Sequence, residues 1–493
     1  MASTKGLALV TGANGFIGAR TVEAFLAANY SVRAVVRTES SASSLLSALP
    51  SHASSGQLKT TLVPDITASG AFDQAVKDVT AIAHLAAPVD FSNRDIKYVI
   101  NSSVQGTLGI LQSAIKEPGL KSFVYMSSIV TIRGQTPKYP ERGYTEEDWN
   151  DQIEDTLAQA GDNATGHQIY IASKLKAERA FWEFRKEHSD SIKFTITAVN
   201  PVWVAGPPLI LPEDPEKLSE TAIVAYRIMN GQDMPPTGPG NGTHVDVRDV
   251  ARLIVFAVES KQVADGQRYL AGGNRVYANI QAYRDLLRKA YPDRKSIIGE
   301  GEPGKGYNQD YSTPNGGFLV DGSKAVDATG QDWIPFDQMT LDAAKAYENI
   351  EEIRSHSPAP SNPGLGLGQH IGNPSPLAMG TFATTLLTLS LSMMGFRGVE
   401  TQTIFIGNLC FAAGLCMFVS AQWEMARGNT FGYSALSAYA VFYGGYGVIL
   451  CPSLGVLESY GGATPEYHNA LGFYVLSFLG SFDPILHARI GAH

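Results

Sequence analysis

Cysteine is nearly missing from this chain. Only three occur in 493 residues, Cys410, Cys416 and Cys451, all near the C-terminal end. Everything before Cys410 therefore has neither a disulfide framework nor a cysteine metal site, which fits a reducing compartment. No metal site is expected. Positive charge is also scarce. Lys and Arg number 38 against 47 Asp and Glu, the formal net charge is −9, and no basic block is present. These features argue against a nucleic-acid partner. The N-terminus lacks the charged, apolar and small-residue succession of a secretory signal and runs directly into an apolar stretch. Beyond Ile371 charge of either sign runs out. Only Arg397, Glu400, Glu424, Arg427, Glu458, Glu466, Asp483 and Arg489 are charged there. The chain is too long for one compact core. The charge boundary predicts a globular part over 1–354, a Pro-, Gly- and Ser-rich linker over 355–372, and an apolar part over 373–493.

The globular part opens with a short apolar run over 7–10, of the kind a buried parallel strand needs. Thr11-Gly12-Ala13-Asn14-Gly15-Phe16-Ile17-Gly18 follows, and then an amphipathic stretch with Ile17, Val22, Phe25 and Leu26 on its apolar face. A strand, a glycine-rich turn and a helix form a dinucleotide cradle. Gly12 permits the turn, Gly15 lets backbone approach a diphosphate, and Gly18 lets helix pack on strand. The helix start offers N–H donors to phosphate. An ordinary strand-to-helix turn is the alternative.

The spacing is GxxGxxG, and TGANGFIG resembles the extended short-chain dehydrogenase/reductase family. That family includes dihydroflavonol reductases, fungal aldehyde and methylglyoxal reductases, and sugar-nucleotide epimerases. The resemblance covers about the first seven-tenths of the chain. It implies a Rossmann-type α/β fold, a doubly wound parallel sheet with a smaller substrate lobe. The cofactor part would fill about 1–200 and the substrate lobe most of 201–354.

A second strand, Ser31-Val32-Arg33-Ala34-Val35-Val36, ends at Arg37 and Thr38. NAD binders usually carry an acid at this point for the ribose 2′-hydroxyl. A guanidinium instead pairs with a 2′-phosphate. Arg37 therefore favours NADPH over NADH, with Arg33 as a rival for the role. The resemblance sets Asp65 and Ile66 beside the adenine, and His84-Leu85-Ala86-Ala87-Pro88 beneath the cofactor.

Phe123-Val124-Tyr125-Met126-Ser127-Ser128 reads as a strand ending in two serines. Tyr170-Ile171-Ala172-Ser173-Lys174 reads as helix, with Tyr170 and Lys174 on one face. Carbonyl reduction needs a proton donor for the developing alkoxide. A nearby ammonium would lower a phenol's pKa, and a serine hydroxyl would hold the oxygen. YxxxK alone is a common chance match. Here it follows the glycine loop and the serine strand in order, and precedes Asn200-Pro201-Val202-Trp203-Val204. The resemblance gives Ser128, Tyr170 and Lys174 the catalytic roles, puts Pro201 and Val204 beside the nicotinamide, and marks Asn101 as a helix asparagine. Tyr144-Thr145-Glu146-Glu147-Asp148-Trp149-Asn150 resembles the E-(D/S)-x-W segment of the reductase branch. His244-Val245-Asp246-Val247-Arg248-Asp249-Val250 resembles the return between lobes. The resemblance implies an NADPH-dependent reductase of a small aldehyde or ketone.

In the last part, 377–396, 401–423 and 431–457 are uncharged and apolar, long enough to span a bilayer, and 467–482 is a weaker fourth. Asn373-Pro374-Ser375-Pro376-Leu377 and Trp423-Glu424-Met425-Ala426-Arg427-Gly428-Asn429-Thr430-Phe431-Gly432 resemble segments of the acetate/succinate transporter family, whose members have six spans. A truncated transporter-like membrane domain of three to four helices in contact with lipid is expected. Its catalytic partner would face the cytosol, where NADPH is found. Soluble core helices are the alternative for the membrane part. Two further functional readings stay open. One is a carboxylate transporter with a nucleotide-sensing domain, the other an NAD-bound epimerase or dehydratase.

Overall fold

The computed structural model describes residues 4–87, 93–134, 143–212, 214–234, 240–315, 317–356, 375–394, 403–426 and 430–480. Two compact units divide the chain, Met1–His356 and Ser357–His493.

The first unit is built on a seven-stranded sheet in the order β3-β2-β1-β4-β5-β6-β9. Its strands are β1 (Leu7–Thr11), β2 (Ser31–Val36), β3 (Leu58–Leu62), β4 (Ala81–His84), β5 (Ser122–Met126), β6 (Thr195–Pro201) and β9 (Arg268–Ala271). Every neighbouring pair is parallel. A parallel sheet needs both faces covered, so its central strands are apolar throughout. β4 and β5 are buried at every position. The two-residue alternation of a strand then distributes these residues between two cores. Ala8 and Val10 join Val22, Phe25, Val250 and Ile254 on one side. Leu9 joins Ile82, Ile110, Leu111 and Phe181 on the other. Helices Phe16–Ala27 and Val247–Glu259 pack together on the first face, and helices Ile96–Ala114 and Gly166–Glu187 pair on the second.

A smaller sheet has the order β10-β8-β7, with β7 (Trp203–Ala205), β8 (Gly242–Asp246) and β10 (Tyr277–Ala278). β7 leaves the main sheet directly after β6, and β8 pairs with it in parallel. The chain beyond residue 200 does not stay in one lobe. It returns through helix Val247–Glu259 and β9, which pairs with β6. Among the described residues no group of three or more His, Cys, Asp or Glu is placed to hold a metal ion.

Helix Gly166–Glu187 begins in a capping box. Thr165 Oγ1 accepts from Gln168 N at 3.2 Å, and Gln168 Oε1 accepts from Thr165 N at 2.8 Å. A cap of this kind contributes about 1 kcal/mol and sets where the helix starts, and so which residues share a face further along.

The second unit is helical over Ser375–Met393, Met417–Ala426, Thr430–Ile449 and Pro465–Gly480, with a π-helical stretch over Asn408–Cys416. Leu409, Ala413, Met417, Ala440 and Tyr443 form its buried centre. Small residues bring its helices close, as is common in lipid. A Cβ on Gly414 would lie 3.3 Å from the Gly444 Cα. Among the described residues one helix, Thr403–Met425, is long and apolar enough to cross a membrane, and Leu377–Leu391 is a shorter apolar one. The stretch expected over 431–457 is one continuous helix only to Ile449, with short helical turns over Pro452–Leu454 and Val456–Ser459. Pro452 follows, and Gly, Tyr and Ser dilute its hydropathy. Phe411, Leu415, Phe418, Val441, Phe473 and Leu476 are exposed. The linker beyond His356, Asn373, Pro374, Arg397, Arg427–Asn429 and Arg489 lie outside the described residues, so the charge pattern expected there has no structural counterpart. Helix Phe336–His356 runs two residues into the segment read as linker.

Candidate active site

The glycine loop joins β1 to helix Phe16–Ala27. Gly12 has φ +65°, a left-handed conformation that favours glycine. A Cβ on Gly18 would stand 2.0 Å from the Gly12 carbonyl oxygen, so helix and loop touch through backbone. Gly15 is the N-cap and supplies no side-chain bond, which leaves the first N–H groups of the helix without a side-chain cap. Asn14 and Gly15 are exposed, and Phe16 and Ile17 are half-buried. A Cβ on Gly12 would also lie 3.1 Å from Ala86 N. Thr11 Oγ1 ties the two strand ends together, accepting from Leu85 N and Ala86 N at 3.0 Å. Its other partner is His84 Nδ1 at 2.8 Å. His84 is fully buried, and desolvation drives its pKa down to about 3, with the Lys174 charge acting the same way. It is a neutral structural residue under the loop. Pro88 lies outside the described residues.

The structure separates the two arginines at β2. Arg33 donates to the carbonyls of Ala75 at 2.7 Å and Lys77 at 2.6 Å. Its guanidinium holds a turn of the fold. Arg37, just past the end of β2, is exposed and has no hydrogen bond or ion pair among the described residues. The loop, its uncapped helix start and this cation together fit a phosphorylated dinucleotide. Asp65 is exposed and accepts from Thr67 N at 2.8 Å and Thr67 Oγ1 at 2.6 Å, bonds that hold its pKa below the ordinary value. Ile66 packs against the helix Ile96–Ala114 at Gly106, where a Cβ would lie 3.2 Å from Ile66 Cδ1. Asn101 lies on the exposed side of that helix.

Ser128, Tyr170 and Lys174 come together where β5 ends. Ala86, Ala87, Thr107, Tyr125, Tyr170 and Lys174 share one small cavity, so the β4 end meets the Tyr–Lys helix there. The Ser128 hydroxyl acts on the Tyr170 phenol, favouring its ionised form. Lys174 Nζ donates to the Met126 carbonyl at 3.3 Å. The electrostatics differ from expectation. Burial pushes the Tyr170 phenol up, opposed by the Ser128 hydroxyl, while the charge of Glu220 adds to the rise. Burial also drives the Lys174 ammonium down to about 8, with Glu178 opposing. Lys174 was expected to lower the phenol, but the cost of burying a phenolate sets the net direction. Tyr170 is accordingly held as the protonated phenol.

Ser127 faces away from this group. Its hydroxyl donates to Glu178 Oε2 at 2.5 Å. Glu178 is fully buried, one helical turn beyond Lys174, and it gathers several elements. Oε2 also accepts from Thr131 Oγ1 at 2.5 Å and Asn200 Nδ2 at 2.9 Å. Oε1 accepts from Arg268 Nε at 2.7 Å and Trp182 Nε1 at 3.3 Å. Arg268 in turn donates to the carbonyls of Glu146 at 2.6 Å and Asp148 at 2.8 Å, and stacks 3.9 Å from the Trp149 ring centroid. Glu146 Oε1 accepts from Leu270 N at 2.9 Å. The 144–150 segment is thus a brace against β9, and Asn200 is part of the same hub. Pro201 and Val204 are buried at the end of β6 and in β7. Sequence reasoning missed Glu178 and Arg268. The Tyr170, Lys174, Glu178 spacing on one helix face was the available signal for the first. Nothing local marks Arg268.

Residues 8–272 match the model of the NAD dependent epimerase/dehydratase family. The chain belongs to that family. Residues 362–482 match the GPR1/FUN34/yaaH family. The two matches agree with the fusion read from the sequence. The NADPH-dependent methylglyoxal reductase GRE2 of Saccharomyces cerevisiae is 30% identical over 308 residues, covering 60% of this chain and 86% of that protein. Aldehyde reductase 2 of Sporidiobolus salmonicolor is 30% identical over 298 residues, covering 58% of this chain and 82% of the relative. Among solved structures, yeast methylglyoxal/isovaleraldehyde reductase Gre2 complexed with NADPH superposes with a TM-score of 0.62 at 28% identity. It covers 70% of this chain and 99% of its own. The relatives named here are reductases, and the fold of this first unit is shared with yeast Gre2.

Proposed function

We propose that the chain is an NADPH-dependent reductase of an aldehyde or ketone, held at a membrane by its second unit. The observation that carries the reading is the grouping of Tyr170 and Lys174 in one small cavity, with Ser128 acting on the Tyr170 phenol, in a unit that also holds a glycine cradle and an Arg37 unpaired among the described residues. Relatives named as NADPH-dependent methylglyoxal reductases and an aldehyde reductase support it. NADPH, when bound, supplies the hydride. Arg37 pairs with the 2′-phosphate, and Gly12, Asn14, Gly15, Phe16, Ile17 and Gly18 form the cradle. Asp65, Ile66, Ala86, Pro201 and Val204 line the remaining cofactor path. Ser128 holds the carbonyl oxygen with its hydroxyl. Tyr170, kept protonated by burial, gives its phenolic proton to the forming alkoxide. Lys174 then stabilises the phenolate left behind, a charge that its low-dielectric surroundings would otherwise disfavour. A phenol pushed upward favours reduction at neutral pH, and the reverse oxidation should speed up toward alkaline pH.

The deciding experiment follows NADPH oxidation by the full chain against a panel of aldehydes and ketones, with NADH in parallel. Turnover with NADPH preferred is expected. Arg37→Glu should lower kcat/KM for NADPH by about 10- to 100-fold, the value of a charge-assisted phosphate contact, and leave NADH much less affected. Equal losses with both cofactors would refute the 2′-phosphate role. Tightly held NAD with no net consumption of NADPH would instead support epimerase or dehydratase chemistry.

The C-terminal family match and the apolar Thr403–Met425 helix support a membrane location, multi-pass in contact with lipid, with the catalytic unit on the cytosolic side. One full-length polypeptide should remain in the membrane pellet after alkaline carbonate washing. Release into the supernatant would reject a membrane-spanning segment. In sealed vesicles with the cytosolic face outward, added protease should digest the first unit.

A further inference from the structure

Among the arginines of the first unit whose side chains are described, all but two have a carboxylate or carbonyl partner or an interaction of another kind beyond an aromatic ring. The exceptions are Arg37, already given to the cofactor phosphate, and Arg133. Arg133 follows Ser128 by five residues, at the end of the short turn Ile129–Thr131, and its N–H donates to the Ile129 carbonyl at 2.8 Å. The guanidinium lies over the Phe318 ring, 4.2 Å from its centroid, and Phe318 stacks with Tyr144 at 6.5 Å. Burial pushes its pKa down, so the cation sits where water screens it poorly. Its charge reaches His167, whose ring stacks 6.4 Å from that of Tyr170. A desolvated cation is costly where, among the described residues, no counter-charge meets it, and a planar guanidinium braced on an aromatic face is pre-set for bidentate contact with an oxyanion. The Glu220 charge acts on Tyr170 and His167, and among the described residues Glu220 forms no ion pair with Arg133.

We propose that Arg133 receives a carboxylate carried by the carbonyl substrate, so that the site prefers aldehydes or ketones bearing an acid group away from the reacting carbon. The proposal rests on the reductase reading above and names its substrate class. Reduction itself is unchanged: hydride adds to the carbonyl carbon, the oxygen takes the Tyr170 proton, and the carboxylate leaves as it entered.

The test measures NADPH oxidation by the full chain with carboxyl-bearing aldehydes of graded length, including 3- and 4-carboxybenzaldehyde, each beside its neutral methyl ester. The wild-type protein should favour at least one acid over its ester by about 10- to 100-fold in kcat/KM, as expected of a hydrogen-bonded ion pair. Arg133→Met should collapse that ratio toward one, and Arg133→Lys should restore part of it. Acids and esters reduced equally by the wild type, or an Arg133→Met loss common to both, would overturn the proposal and leave the reductase reading standing. No reduction of any aldehyde would remove the reductase reading, and this proposal with it.

Discussion

Replacing Tyr170 with Phe is expected to lower kcat for carbonyl reduction by about 100- to 10,000-fold, the range contributed by a positioned general acid. The ring hydroxyl is the only group lost, and Phe fits the same half-buried site. NADPH binding, followed by quenching of tryptophan fluorescence, should stay close to wild type, because the cradle lies on a different element, at the end of β1. Lys174→Met should behave differently. It removes the buried ammonium that bonds the Met126 carbonyl at 3.3 Å. Both KM for the cofactor and kcat should suffer. A Tyr170→Phe protein that no longer binds NADPH would make the tyrosine structural and dismantle the proposed proton path.

The Arg268→Met variant should cost about 3–5 kcal/mol of stability, because it leaves the Glu178 carboxylate charged, buried and short of its only cationic partner among the described residues. The pair is at most 9% exposed on either side chain, so solvent offers little compensation. Urea unfolding checks this, followed through Trp149 and Trp182, which touch Arg268 and Glu178 respectively. The midpoint should fall well below that of the wild type. Loss of activity should accompany partial release of the hub, since Ser127 and Thr131 flank Ser128 and both donate to Glu178. An unchanged midpoint would mean that the hub tolerates an unpaired carboxylate. Removing both charges together should be milder than removing Arg268 alone, because no ion then stays buried without a partner.

Much of this architecture was legible from local pattern. The apolar run before TGANGFIG and the spacing of its glycines predicted β1, the cradle and the following helix. These features are local, and backbone geometry within about twenty residues decides them. The i, i+4 relation of Tyr170 and Lys174 was equally readable, because helical periodicity alone puts them on one face. The charge-poor stretch beyond Ile371 announced a second unit, since a segment without a polar face cannot cover a soluble core. Spacing could not choose between adjacent or nearby equivalents. Ser127 and Ser128 differ by one residue on an extended chain, so they point to opposite sides. Only the position of Glu178 shows which one is occupied. Arg33 and Arg37 were rivals until the Ala75 and Lys77 carbonyls took the first. The direction of the Tyr170 shift also needed the fold, because it depends on how much water the packed helix and cavity exclude.

The sequence by itself determined the order of the elements, the glycine cradle and the Tyr–Lys face, because each is encoded within one or two turns of chain. Tertiary structure alone decided the places of Ser127, Glu178 and Arg268. Glu178 and Arg268 are 90 residues apart and meet only because β9 returns to pair with β6. Arg133 is singled out by having no carboxylate or carbonyl partner among the described residues, which no stretch of sequence can display.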